Sequence, residues 1–314
     1  SWSTTCYYLC MNPARKRAYI ELLIVAAIWG IAAPIIKHTL GGFSPAVFLT
    51  YRLFLSAVAA IIIFSITGIK FPKNRKVLLV TILNGFLLTT VSLGLLFFGL
   101  NKTTSIDSNL ISAMGPILIA IAGVFFLKER ITKRESIGIL IALTGTFVTI
   151  AEPVLSGHVH FAGLQGNLLI FISLIVGTIT AILAKVVLRN DVDASFASNS
   201  AFIVGFLTIL PFSISEIVNS NFEVITKVPF SFHLGVIYMA LLSGTLAYLL
   251  WHRAEKTIEV GEVNLIGYLY PVFGTPLSIF WLKEKIGLPF IIGSILIVVG
   301  VFLAEYKKRF KIKK

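Results

Sequence analysis

The chain has little charge and almost no cysteine. Charged residues make up 13% of its 314 residues, against 57% hydrophobic ones. An ordinary globular domain carries roughly 25% charged residues. Its two cysteines, Cys6 and Cys10, both precede the first methionine, Met11. The apolar body therefore has no disulfide framework and no cysteine metal set. Residues 1–10 read as a tag-like or upstream extension, and the Tyr-Tyr-Leu-Cys of 7–10 is a poor match to a lipid-attachment box. There is no HExxH, no Gly-x-Ser-x-Gly and no phosphate-binding loop, so neither an intramembrane enzyme nor an ATP-driven pump is expected, and no cofactor is. Among the five histidines only His158 and His160 stand close together, without an obvious third ligand. Also missing is a carboxylate at any predicted membrane midplane. Asp107, Glu152 and Glu262 fall near span ends, which leans toward a facilitator or a weakly coupled exporter.

What the chain has instead is long apolar runs. A spanning helix needs about 20 mostly apolar residues. Ten such stretches are expected: 19–38, 46–67, 77–99, 107–127, 135–152, 162–185, 196–214, 233–252, 260–282 and 288–305. The first follows Arg15-Lys16-Arg17 but runs longer than a signal-peptide core, so it is taken as an uncleaved helix. With the N-terminus inside, 21 of the 27 basic residues fall on the inner side of these spans. The exceptions are Lys37, Arg52, Lys102, Lys227, Lys283 and Lys285. This bias puts both termini in the cytoplasm of a prokaryotic cell. It also accounts for the net charge of +13 without nucleic acid. The basic tail, 306–314, is a topology signal that also attracts anionic lipid.

The chain repeats itself. "FLKERITKRESIGILIALTGTF" (126–147) returns as "WLKEKIGLPFIIGSILIVVGVF" (281–302). Leu127, Lys128, Glu129, Ile131, Gly138, Gly145 and Phe147 become Leu282, Lys283, Glu284, Ile286, Gly293, Gly300 and Phe302, always 155 residues on. Asn109-Leu110-Ile111 and Pro116 recur at the same offset as Asn264-Leu265-Ile266 and Pro271. Five spans separate the two Leu-Lys-Glu turns, and five is odd. The turns are then expected on opposite sides of the membrane. The expected fold is an all-α polytopic membrane protein of ten transmembrane helices in two inverted five-helix repeats, 11–152 and 153–305. Inverted repeats are a signature of secondary transporters, with binding at the repeat interface.

"AAIWGIAAPIIKHTL" (26–40), "SPAVFLTYRLFLSA" (44–57) and the run from Leu100 to Val148 resemble the EamA domain of the drug/metabolite transporter superfamily. Residues 263–305 resemble it too. The first two helices of the second half fit weakly: they lack the Trp and the Arg, and Val176 precedes Gly177. The resemblance implies an exporter or facilitator of amino acids and other small metabolites, with a central cavity. It leaves exporters of drugs or other hydrophobic compounds as the alternative, and a non-transporting receptor or assembly factor as a remote one. The expected partners are a small-molecule substrate and the lipid bilayer, with the protein a monomer or weak homodimer.

Polar residues at helical spacing mark candidate cavity faces. Gly85, Thr89 and Ser92 share one face, and Asn109, Ser112 and Pro116 share another. So do Ser173, Gly177 and Thr180; Thr245, Tyr248 and His252, with Trp251 adjacent; and Asn264, Tyr268 and Pro271. The substrate-contacting candidates are Trp29, Arg52, Thr89, Ser92, Asn109, Ser112, Thr180, Tyr248, His252, Asn264 and Tyr268. Small and hydroxyl residues also serve as glue between membrane helices, so each face has a packing reading as well. Arg52 is the one cation well inside a span. It can snorkel outward, pair with Asp107, or meet a substrate carboxylate. Pro116 and Pro271 each free a backbone carbonyl and are paired candidates for hinges or for static kinks.

Overall fold

The computed structural model describes residues 13–68, 71–127, 133–150, 161–190, 192–258, 263 and 265–305. Every regular element among them is helical. In chain order these are α1 (Pro13–Gly30), α2 (Ala32–Thr39), α3 (Pro45–Thr67), α4 (Arg75–Phe86), α5 (Leu93–Lys102), α6 (Ser105–Ser112), α7 (Gly115–Leu127) and α8 (Lys133–Ile150). Then come α9 (Phe161–Arg189), α10 (Ala194–Asn219), α11 (Glu223–Thr226), α12 (Phe230–Ile237), α13 (Ala247–Thr257), α14 (Tyr270–Leu282) and α15 (Leu288–Glu305).

Local chemistry sets the helix starts. Ser44 Oγ accepts the Val47 amide and Pro45 supplies a preset φ in the first turn of α3. Thr104 caps α6 through the Asp107 amide, and Asp193 caps α10 through the Ser195 amide. Six stretches are long and apolar enough to cross a membrane: Pro13–Thr39, Pro45–Thr67, Arg75–Lys102, Gly163–Arg189, Ala194–Asn219 and Phe230–Thr257. Ser136–Thr149 and Leu288–Gly300 are shorter apolar helices.

The distribution of side chains is that of a protein dissolved in lipid. Ile61, Ile66, Phe212, Phe280, Val298 and Phe302 are exposed. Arg52, Asp107, Asn109, Asn167, His252 and Glu255 are buried. In water the exposed apolar side chains would be penalised; in a bilayer lipid solvates them, and the costly polar groups are kept inside the bundle, away from it. The chain is an all-α, multi-pass membrane protein.

Five of the expected spans are not single plain α-helices, the first being split into α1 and α2 at Ile31. A π-helical stretch, Leu87–Ser92, joins α4 to α5, and another, Tyr238–Leu246, joins α12 to α13. The stretch expected at 107–127 breaks into α6 and α7 at Ala113-Met114, and Pro116 is the second residue of α7. Before α14 lies a 3-10 turn, Leu265–Leu269, and Pro271 is the second residue of α14. A proline at this place has no intrahelical amide bond to lose. The two prolines therefore start helices and do not kink continuous ones.

Helix packing repeats the sequence offset. α8 lies along α15, α3 along α10, and α6 against α14. α1 packs on α13, and α5 packs on α9. Exchanging the helices of residues 13–150 for those of 161–305 leaves this pairing pattern unchanged. The repeated glycines explain the tightest contact. A Cβ on Gly145 would stand 2.7 Å from Gly293 O and 2.8 Å from Ile297 N. One on Gly293 would stand 2.9 Å from Gly145 O, and one on Gly300 2.6 Å from Gly138 O. Backbones approach this closely only where no side chain intervenes. The Glu284 of the second Leu-Lys-Glu turn reaches back to cap α6. Its oxygens accept the Ser105 amide at 2.9 Å, the Ile106 amide at 3.0 Å and the Ser105 hydroxyl at 2.9 Å. Glu129 and the other residues of the first turn after Leu127 lie outside the described residues.

Candidate transport cavity

A cavity of about 250 Å3 lies where both halves of the chain meet. Trp29, Ala32, Ala33 and Ile36 reach it from α1 and α2, and Arg52 from α3. Asn84, Leu88, Ser92, Leu96 and Leu100 come from α4, α5 and the π stretch between them. Ser108, Asn109, Ser112, Gly115 and Pro116 come from the broken α6–α7 pair. On the other side stand Ser173, Gly177 and Thr180 of α9, Ser243, Tyr248, Trp251 and His252 around α13, and Gly267 and Tyr270 before α14. Helix breaks expose backbone groups, and membrane proteins tolerate such breaks beside cavities.

Arg52 is the decisive group. Its side chain is 1% exposed, so it does not snorkel. No salt bridge joins it to Asp107, whose carboxylate accepts from Thr103 and Asn167, each at 3.3 Å. The Arg52 Nε and Nη1 atoms are buried with no hydrogen-bond partner among the described residues. The Phe97 ring lies 5.5 Å from the guanidinium carbon, and Tyr248 lines the same cavity. Asn84 Oδ1 and Asn109 Nδ2, on neighbouring cavity walls, also lack partners. Buried polar groups are normally satisfied, so three at one cavity point to something that binds there. No acidic side chain lines the cavity among the described residues.

An aromatic cluster forms another part of the wall. Trp29 sits 5.0 Å from Tyr248, 5.1 Å from Trp251 and 6.5 Å from Tyr270, centroid to centroid. Its indole N–H donates to Ser243 O at 2.9 Å, which fixes the ring.

Of the residues expected from sequence, Trp29, Arg52, Ser92, Asn109, Ser112, Thr180, Tyr248, His252 and Pro116 line the cavity. Thr89 does not. Its hydroxyl donates to Gly85 O at 2.6 Å and to Ala201 O at 3.1 Å, holding the π stretch against α10. Tyr268 does not line it either; Gly267 and Tyr270 take that side of the turn. Pro271 is absent from the wall, and Asn264 lies outside the described residues. Sequence reasoning missed Asn84, Ser108, Ser243 and Tyr270. An amide inside a span was the available signal for Asn84.

The profile of the EamA-like transporter family matches residues 16–151 and again 164–306. The chain belongs to the EamA-like transporter family. It is a transporter and not an enzyme. Among its relatives, the uncharacterized transporter YetK of Bacillus subtilis is 28% identical, over 93% of this chain and 88% of that one. A probable amino-acid metabolite efflux pump of Escherichia coli is 24% identical, over 95% and 97%. A solved crystal structure superposes with a TM-score of 0.65 at 17% identity, covering 93% of this chain and 98% of the other. That likeness extends to the fold.

Proposed function

We propose that this EamA-family member is a secondary transporter that moves small zwitterionic metabolites, amino acids first, through the central cavity by alternating access. It would sit in the cell membrane with ten spans, both termini in the cytoplasm, as two inverted five-helix halves. The symmetric helix pairing, the glycine contacts and the paired breaks before Pro116 and Pro271 support that architecture. A pair of halves facing opposite ways opens to either side by exchanging conformations.

The observation that carries the substrate class is the enclosed Arg52, whose Nε and Nη1 have no hydrogen-bond partner among the described residues. Guanidinium recognises carboxylate in a two-pronged, charge-assisted geometry. A substrate carboxylate would supply the partner that Asp107 does not, with Asn109 as a further donor. The aromatic faces around Trp29 would attract the substrate ammonium, and Asn84 Oδ1 would accept from it. With no acid on the wall among the described residues, the site does not favour polyvalent cations. The relatives named as amino-acid metabolite efflux pumps agree with this class at low identity. A second reading, export of hydrophobic compounds, draws on the leucine-rich wall of Leu88, Leu93, Leu96 and Leu100.

Proteoliposomes distinguish the two. Uptake of labelled leucine is compared with that of 3-methylbutylamine, its decarboxylated analogue, and of a lipophilic cationic dye. Leucine carried far better than the amine supports the carboxylate reading. Equal transport of acid and amine, or transport of the dye alone, removes it.

A further inference from the structure

We propose that His252 and Glu255 form a proton-binding pair that couples transport to a proton gradient; this rests on the transport reading above. The sequence pattern offered no central acid. The fold encloses one near the end of α13: Glu255 is 0% exposed, neither of its carboxylate oxygens has an aligned hydrogen bond among the described residues, and the Trp251 side chain faces the carboxyl group from the preceding turn. An enclosed carboxyl group of this kind holds a proton at small cost and a bare charge at large cost. Ionisable groups inside a membrane bundle mark substrate or ion pathways and proton relays.

The neighbour is placed to exchange that proton. His252 Nε2 lies 3.9 Å from Glu255 Oε2, one helical turn along α13. A small side-chain rotation closes that gap. On its other edge Nδ1 lies 2.7 Å from Ser198 Oγ. With the Ser198 hydroxyl donating to Ala194 O at 3.0 Å, the ring donates from Nδ1 and Nε2 presents its lone pair to Glu255, the tautomer the pair needs. His252 lines the cavity and Glu255 does not. The pair thus connects the cavity to the end of α13, which carries Arg253 and Lys256.

The surroundings are sparse in charge. Lys185 of α9 donates to Glu255 O at 2.6 Å and to Ile258 O at 3.1 Å, holding the helix end and facing the carboxyl group. Lys256, on its own helix, is the cation whose charge reaches His252. α10 contributes the Ser198 hydroxyl. α1 presents Ala18, Leu22 and Val25, which pack with Trp251 and Ala254 and exclude water. In one transfer, a proton from the outward-open cavity forms an N–H bond at His252 Nε2, giving an imidazolium. That bond breaks as an O–H forms at Glu255 Oε2, and the ring returns to neutral. The carboxylic acid then releases the proton at the helix end as substrate leaves by the opposite route.

Two measurements on the purified full chain test this. Infrared difference spectra between acid and alkaline buffers should contain a protonated-carboxyl stretch that is lost in Glu255→Gln, an isosteric change. A variant spectrum superimposable on the wild type overturns the proposal. In proteoliposomes with trapped pyranine and a labelled mixture of the twenty amino acids, an imposed proton gradient should stimulate movement, with protons moving the other way. Glu255→Gln should lose both effects. Wild-type movement indifferent to the gradient overturns the coupling. An infrared band that stands while no amino acid moves supports the proton pair and refutes the substrate class above it.

Discussion

Replacing Arg52 by methionine separates the two jobs a buried arginine can do. If it were a structural cation, its loss would destabilise the fold. The structure gives it no carboxylate partner, so little native pairing is lost. Replacing buried charge by an apolar side chain of similar length is neutral or stabilising by about 1–4 kcal/mol in known cases. Loss of the Phe97 contact costs about 0.5–2 kcal/mol. The substrate-free variant is therefore expected to be no more than about 2 kcal/mol less stable than the wild type. Binding behaves differently. Losing one member of a buried, hydrogen-bonded charge pair costs about 3–4 kcal/mol, which is about a 100- to 1,000-fold weaker affinity. At a substrate concentration of about 100 times the wild-type Kd, the wild type gains about 2.7 kcal/mol of stability and the variant less than about 0.5. Thermal unfolding in detergent, with and without an amino acid, reads both numbers. An Arg52→Met protein that unfolds far earlier on its own, yet gains the same stabilisation from substrate, would refute the assignment and make Arg52 a packing residue.

Gly145→Leu places a side chain against the Gly293 carbonyl and should abolish the folded, monodisperse peak in size-exclusion chromatography, while Gly145→Ala should cost about 1–3 kcal/mol by overpacking. Glu284→Ala removes the cap on α6 and should lower stability by about 1–3 kcal/mol, through the amides of Ser105 and Ile106 left without partners; unchanged thermal unfolding would rule out the cap. Pro116→Ala and Pro271→Ala should bias cavity access in opposite directions by about 1–3 kcal/mol, as coupled two-state elements do; cysteine reporters with unshifted accessibility and normal transport would make both prolines static. An impermeant maleimide should label Ser156→Cys on intact cells and Lys73→Cys only after permeabilisation, and the reverse pattern would invert the proposed orientation.

Much of this protein is written locally. Apolar runs of spanning length, with charge confined between them, leave the backbone no low-energy option in lipid except helix. The glycines at 145, 293 and 300 were legible as repeated small residues, and the fold uses them where α8 and α15 touch. Trp29, Arg52, Ser92, Asn109, Ser112, Thr180, Tyr248 and His252 were legible because polar and aromatic groups inside a span need a reason to be there. Facing is where local reading failed, and the cause is helix winding. Thr89 and Ser92 were placed on one face by counting α-helical turns, but the π stretch Leu87–Ser92 winds more widely and turns Thr89 to α10. Asn264 and Tyr268 were paired by the same count, but the 3-10 turn Leu265–Leu269 has three residues per turn and brings Gly267 and Tyr270 to the cavity. Partnership failed for a different reason. Arg52 and Asp107 are opposite charges with nothing in the sequence to keep them apart. Only the packed helices decide that Asp107 meets Asn167 of α9 while Arg52 faces an open cavity, and that Glu255, among charged neighbours in sequence, is sealed beside His252.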